Sequence, residues 1–243
     1  MGLPELREIF LKSDNYIKGR YLAELTKEVL AEMEREKYCY SEWRISIYGR
    51  SLSEWHLLAE WVRTNKLHSH QIRWMIQIPR LYSLYASHKM VKNFQEMIDN
   101  IFRPVFEVTL NPSKDPHLYR FLMQVVAFDT VDDESTYEVL SMDHLALPPL
   151  EWVKPENPHY SYWIYYIYAN LASLNELRKI RGLNTFMFRP HCGESGSVDH
   201  LAAAFLVADG INHGIKLYST PVLQYLFYLK QVGIAMSPLS NNK

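Results

Sequence analysis

The chain has 243 residues, with 26 lysines and arginines against 27 aspartates and glutamates, so its formal net charge is −1. This balance argues against a broad basic face for nucleic acid, and a composition of 48% hydrophobic and 22% charged residues is globular, not disordered. Two cysteines do not make a disulfide scaffold, and the chain shows neither a secretory signal nor a membrane span, which predicts a cytoplasmic protein.

The N-terminal part, residues 1–40, is predicted to be mostly helical. Within residues 5–37 the apolar side chains recur at three- and four-residue steps with charges between them, as in an amphipathic helix. The first strand pattern follows and ends at Gly49. Ser53 is the predicted N-cap of the next helix, because serine hydroxyls accept hydrogen bonds from the first free N–H groups of a helix.

Strand and helix patterns then alternate over residues 41–243. The predicted strands are residues 44–48, 73–78, 124–129, 184–188, 211–214 and 233–237. The predicted helices are residues 53–62, 93–102, 160–181, 198–208 and 221–229. Such alternation implies parallel strands joined by right-handed crossovers. Six strands fit an open doubly wound sheet or part of a (β/α)₈ barrel, and in both folds chemistry gathers at the carboxyl ends of the strands.

Ionisable side chains follow two of these strands. His191 and Glu194 come directly after the fourth strand, and His213 closes the fifth. An imidazole can bind zinc, and a carboxyl three residues on can reach a substrate held at that metal. The alternative is that His191 stabilises a loop while Glu194 is solvated. His213 fits either a general base or a histidine that is hydrogen-bonded inside the fold.

An acidic run follows the third strand and contains Asp129, Asp132, Asp133 and Glu134. It fits a metal site, a helix cap or a solvated turn.

Three other candidates are assigned less direct roles. His68 and His70 form an H-x-H that precedes its strand, which favours a surface loop. Cys192 could act as a nucleophile, but its neighbours favour metal chemistry. The aromatic stripe at residues 160–168 is predicted to be packing or a subunit contact.

Seven segments together resemble the AMP deaminase family. They are LKSDNY at 11–16, ISIYGRS at 45–51, FDTVDDE at 128–134, FRPHCGE at 188–194, NHG at 212–214, PVLQYL at 221–226 and IAMSPLSNN at 234–242. The adenosine deaminases share only the H-x-G-E and H-G parts. The resemblance implies a zinc-containing (β/α)₈ barrel that converts AMP to IMP and ammonia, with one zinc per complete subunit and a homotetrameric assembly.

The same resemblance assigns roles to single residues. His191 is implied to be a zinc ligand, Glu194 to protonate the ring nitrogen N1, and His213 to be the base that acts on the attacking water. With Glu194, the acidic residues Asp129, Asp132 and Asp133 are implied to line the substrate site. AMP is the expected small-molecule partner, and no nucleic acid or membrane partner is expected.

Two parts of the family pattern have no match in this chain. The H-x-H of the first strand and the T-D-D-P of the eighth are absent, and the histidines at 68 and 70 align with a family loop that carries no ligand. The chain is therefore expected to be an internal fragment with about six of eight strands, lacking the first and the last. Alone, it is expected to bind zinc weakly and to be inactive. The alternatives are a non-catalytic truncated isoform that joins full-length subunits and, less favoured, an adenosine-type deaminase.

Overall fold

A computed structural model describes residues 3–136, 138 and 147–239. The α-helices in this part of the chain are α1 Leu3–Phe10, α2 Arg20–Arg35, α3 Glu54–Thr64, α4 Tyr82–Ser87, α5 Phe94–Leu110, α6 Pro116–Leu122, α7 Tyr160–Ile180, α8 Asp199–Val207 and α9 Pro221–Lys230. The strands are β1 Ser41–Ser46, β2 Ile72–Pro79, β3 Val125–Val131, β4 Met187–Phe188, β5 His191–Cys192, β6 Gly210–His213 and β7 Gly233–Ala235. The end of the last family-like segment, residues 240–242, lies outside the described residues.

The helix boundaries follow local chemistry in most places. The Asn93 side chain accepts the Glu96 N–H at the start of α5, and Gly182 follows the end of α7 in the left-handed region at φ 66°. Ser53 takes the predicted N-cap position of α3. Its hydroxyl makes no capping hydrogen bond, and the Glu54 carboxylate instead accepts the backbone N–H groups of the loop before α3. The N-terminal part is mostly helical, as predicted, and residues 11–19 separate α1 from α2.

All the strand pairs in the described residues are parallel, as the alternation of elements predicts. They form two sheets, in the orders β1-β2-β3-β4 and β5-β6-β7. The sheets meet at Pro190, which has no N–H to donate and interrupts the strand between β4 and β5. Backbone hydrogen bonds continue across the break, from Arg189 N–H to the Phe128 oxygen and from Asn212 N–H to the Pro190 oxygen. His191, which was predicted to follow the fourth strand, lies within the short strand β5.

Side chains from distant strands meet in front of the sheets. Arg44 on β1 donates to the Asn212 side chain on β6, and it also pairs with Asp129 on β3 at 3.0 Å. Glu42 on β1 pairs with Arg189, beyond β4, at 2.7 Å. Because β1 and β6 are not hydrogen-bonded neighbours, the contact between Arg44 and Asn212 requires the row of strands to curve, so that β1 approaches β6.

Aromatic side chains fill the layer between the sheet and its helices. Phe128 of β3 packs against Trp55 of α3 and stacks on Phe102 of α5, each at a centroid distance of 6.1 Å. The aromatic stripe of α7 is mainly core: Trp163 is fully buried and donates to the Thr130 hydroxyl at 2.7 Å, although Tyr165 stays 55% exposed. Within the described residues, no helix combines the length and the apolarity that crossing a bilayer requires.

Candidate active site

The His191 ring is oriented by a buried carboxylate. His191 lies on β5, and its Nδ1 is 2.9 Å from Oδ1 of Asp129, whose side chain is fully buried in β3. A carboxylate only accepts hydrogen bonds, so Nδ1 carries the proton and Nε2 of the neutral ring does not. This arrangement is typical of metal-binding histidines, in which the second nitrogen is held by an acceptor behind it.

Asp129 is surrounded by donors. Its Oδ1 faces His191 and the Asn212 amide at 3.3 Å, while its Oδ2 accepts from Arg44 at 3.0 Å and from the Gln77 amide at 3.3 Å. Asp129 also lies inside β3 and not after it, because the strand extends to residue 131. Its carboxylate therefore acts on the His191 ring, and its predicted contact with substrate stays a prediction.

His213 and Glu194 complete the cluster. The His213 ring lies 5.0 Å from the His191 ring between centroids, and its Nε2 is 3.6 Å from the Glu194 carboxylate. His213 ends β6 with φ 72°, an unusual backbone conformation for a residue other than glycine. Its side chain is buried, whereas the Glu194 side chain is 41% exposed. The structure thus brings together the three residues that the sequence analysis identified. The side chains of His191 and His213 are largely buried, and the Glu194 side chain is partly exposed.

The remaining acidic residues divide into buried and exposed groups. Asp132 is almost buried and pairs with Arg80. Burial raises the pKa of Asp132, and the Arg80 charge opposes that shift. Asp133 is exposed, and its carboxylate accepts from the Ser135 hydroxyl and N–H. Substrate binding by these two aspartates stays a prediction. Glu134 is buried and accepts the backbone N–H groups of Gly193 and Glu194.

Three contributors to this site were not predicted from the sequence: Arg44, Gln77 and Asn212, whose side chains donate to Asp129. Glu134, which the sequence analysis placed in the acidic run, lies under the loop that carries Glu194. A signal exists for Gln77, because it is a polar side chain within an otherwise mainly apolar strand. No local sequence pattern identifies the distant carboxylate that Arg44 and Gln77 contact.

The structural interpretations of the other candidates agree with their surroundings. Cys192 is fully buried, and burial raises the pKa of its thiol well above the usual value, which disfavours a thiolate nucleophile. His68 is exposed and lies 3.2 Å from the Gln124 side chain before β2. Among residues 3–136, 138 and 147–239, no three His, Cys, Asp or Glu side chains form a group that could hold a metal ion. The cluster therefore offers one ligand-like imidazole, at His191, and not a complete zinc site.

The chain was compared with known proteins. The family model described as AMP deaminase matches residues 1–243. The chain is 55% identical over its whole length to the AMP deaminase of Saccharomyces cerevisiae and covers 30% of that protein. It is 51% identical over 242 residues to AMP deaminase 1 of Homo sapiens, covering 32% of it, and 55% identical over 241 residues to the AMP deaminase of Dictyostelium discoideum, covering 30%. The chain thus spans about a third of the length of these curated relatives.

Proposed function

The chain belongs to the AMP deaminase family, and we propose that a complete protein containing it hydrolyses AMP to IMP and ammonia. The observation that carries the proposal is the convergence of His191, Glu194 and His213, in which His191 and His213 lie on the paired parallel strands β5 and β6. Displacement of an amino group from a purine needs a proton donor, a proton acceptor and an activated water in one place. This cluster can provide the proton donor and the proton acceptor, and it can provide part of a metal site that would activate the water.

The fold proposed for these strands is an incomplete (β/α)₈ barrel of which the first and last strands are missing. Its support is the curvature of the parallel strands, across which Arg44 reaches Asn212 and Glu42 reaches Arg189. In such barrels the carboxyl ends of the strands surround the active site. His213 is the last residue of β6, and His191 lies beside it on the two-residue strand β5.

Zinc would be held in part by His191. When bound, zinc lowers the pKa of a coordinated water toward 7 and so supplies a nucleophile at neutral pH. The described residues would fix the orientation of the His191 ring, because the Asp129 carboxylate accepts from Nδ1 and leaves Nε2 for the metal. They offer no group of three ligands, so the proposal requires ligands from outside them, and the 243-residue chain alone is proposed to bind zinc weakly and to be inactive.

Two of the chain's own groups would move protons. Glu194 would protonate the ring nitrogen N1, which makes the adjacent C6 more electrophilic, and its partial exposure leaves the carboxyl accessible to a substrate. His213 would accept a proton from the attacking water. Their separation of 3.6 Å places the acid and the base close enough to act on one bound purine.

The test compares a complete protein with the 243-residue chain. The complete protein is expected to contain stoichiometric zinc and to release ammonia from AMP faster than from adenosine, while the short chain does neither. Glu194→Gln in the complete protein should lower kcat by a factor of roughly 10²–10⁴, the usual contribution of a general acid. Glu107→Gln, which alters an exposed ion pair with Arg103 and Lys114, is the matched control.

Either of two results would contradict the proposal. A zinc-loaded complete protein that does not turn over AMP would refute the function, and a short chain with one zinc and full turnover would refute its proposed inactivity. The homotetrameric assembly stays a prediction from the family resemblance, and the cytoplasmic location stays a prediction from the composition.

A further inference from the structure

A buried carboxylate lies directly under the loop that carries Glu194. Oε2 of Glu134 accepts the Gly193 N–H at 2.6 Å and the Glu194 N–H at 3.2 Å. Glu134 follows β3, almost 60 positions earlier in the chain, and its side chain is only 3% exposed. Hydrogen bonds between backbone N–H groups and an ionised carboxylate are among the stronger ones in proteins.

The loop also touches the backbone of Glu134. A Cβ atom on Gly196 would lie 1.7 Å from the Glu134 carbonyl oxygen, and Gly196 has φ 65°. A Cβ on Gly193, at φ 71°, would lie 2.7 Å from the Leu201 side chain. Glycine is therefore required at both positions, for close approach as well as for backbone conformation. The loop is held against Glu134 at two separate points, one through the carboxylate and one through the carbonyl.

The negative charge of Glu134 has a buried partner. The His200 ring lies between two carboxylates, 3.8 Å from Glu134 and 3.6 Å from Glu138. Burial lowers the pKa of His200, but these carboxylates outweigh burial and raise it to about 9. His200 also stacks on Tyr160 at a centroid distance of 4.0 Å, and the Tyr160 hydroxyl donates to the His191 carbonyl at 2.9 Å.

We propose that Glu134 is a positioning residue, which fixes the Glu194 carboxyl relative to His213 by holding the backbone of the 193–196 loop. The described contacts of Glu134 with this loop are to the backbone N–H groups of Gly193 and Glu194, so it would act through that backbone. The inference rests on the proposed function for its kinetic consequence, because Glu194 must be the acid for its placement to affect the rate. Its structural consequence, an ordered loop, does not depend on that function.

The experiment removes the acceptor while it keeps the volume of the side chain. In the zinc-loaded complete protein, Glu134→Met removes both oxygens, whereas Glu134→Gln keeps one oxygen for the two N–H groups. A displacement of a reacting group by about 1 Å can cost about 100-fold in rate. We therefore expect kcat for AMP to fall about 100-fold in Glu134→Met and about 10-fold in Glu134→Gln, with KM changing by less than about threefold.

Hydrogen exchange supplies the second readout. Exchange of the peptide that contains Gly193 and Glu194 should be at least about tenfold faster in Glu134→Met than in the unaltered protein, because both amides lose their acceptor. Glu138→Gln is the matched control, since Glu138 also contacts His200 but has no described hydrogen bond to the 193–196 loop. Its kcat and its loop exchange should stay close to those of the unaltered protein.

The outcomes separate this inference from the proposed function. Unchanged loop exchange and unchanged kcat in Glu134→Met would overturn the positioning role, as would an equal loss of kcat in Glu138→Gln. If the unaltered complete protein does not deaminate AMP, the proposed function fails, while the exchange comparison still decides whether Glu134 holds the loop. If Glu134→Met does not fold, Glu134→Gln and Gly196→Ala, which forces a clash at the second contact, carry the same test.

Discussion

Replacing Asp129 by asparagine should reverse the proton arrangement of the His191 ring. The two oxygens of Asp129 accept from four donors, which belong to His191, Asn212, Arg44 and Gln77. Asparagine has one oxygen and one NH₂ group in the same shape, so two donors must face the NH₂. The charged Arg44 competes best for the oxygen. The NH₂ then faces Nδ1 of His191, which must become an acceptor, and the ring proton moves to Nε2.

The expected size of the effect follows from the groups left unpaired. Each buried donor that loses its acceptor costs about 1–3 kcal/mol. Once His191 accepts from the new NH₂ group, the Asn212 amide is the one donor of the four that loses its acceptor on residue 129, so the free energy of unfolding should fall by about 1–3 kcal/mol. A protonated Nε2 cannot bind zinc, and loss of a partner behind a metal-binding histidine typically lowers metal affinity or activity 10–100-fold. We expect a decrease in that range for the complete protein.

The assay measures the tautomer and the metal separately. Long-range ¹H–¹⁵N spectra of the 243-residue chain distinguish an Nδ1–H ring from an Nε2–H ring, and zinc affinity and AMP turnover are measured on the complete protein. Asp115→Asn is the control, because it makes the same chemical change at a carboxylate that caps α6 and contacts His56. If Asp129→Asn keeps the Nδ1–H tautomer and the original zinc affinity, the orienting role of Asp129 is refuted.

Two further predictions concern buried cations. The pKa of His200 is raised from 6.5 to about 9 by the charges of Glu134 and Glu138, which outweigh burial, so the stability it contributes is complete below about pH 6.5 and is lost as the pH rises through 9. Denaturant titrations should show that the original chain is more stable than His200→Gln by at most about 3 kcal/mol, and that this difference shrinks between about pH 6.5 and pH 9. A difference that stays constant over this pH range would contradict the prediction. Arg178 is fully buried, bonds to the Asn184 carbonyl at 2.6 Å and stacks on the Phe186 ring at 4.4 Å, so Arg178→Ala should lower the free energy of unfolding by about 3 kcal/mol or more. A loss below about 1 kcal/mol in the same titration, a change typical of exposed sites, would refute this estimate.

The regular elements could be predicted because their signals are local. The helix predicted at residues 160–181 is found at Tyr160–Ile180, and the second strand, predicted at 73–78, is found at Ile72–Pro79. Apolar periodicity and turn residues determine such elements within a few residues of chain. Individual side-chain hydrogen bonds were harder to predict. Ser53 takes the N-cap position, but its hydroxyl makes no capping hydrogen bond, and the neighbouring Glu54 carboxylate accepts the N–H groups of the loop backbone.

The motifs also identified His191, Glu194 and His213, because side chains that follow parallel strands share one edge of the sheet. The sequence did not indicate that Asp129 holds the His191 ring, or that Arg44 crosses from β1 to reach both Asp129 and Asn212. Arg44 and Asn212 are 168 positions apart, and their contact depends on how far a row of twisted strands curves. Curvature is a sum over every strand pair, so no local pattern specifies it, and only the tertiary structure determines which charges are buried together.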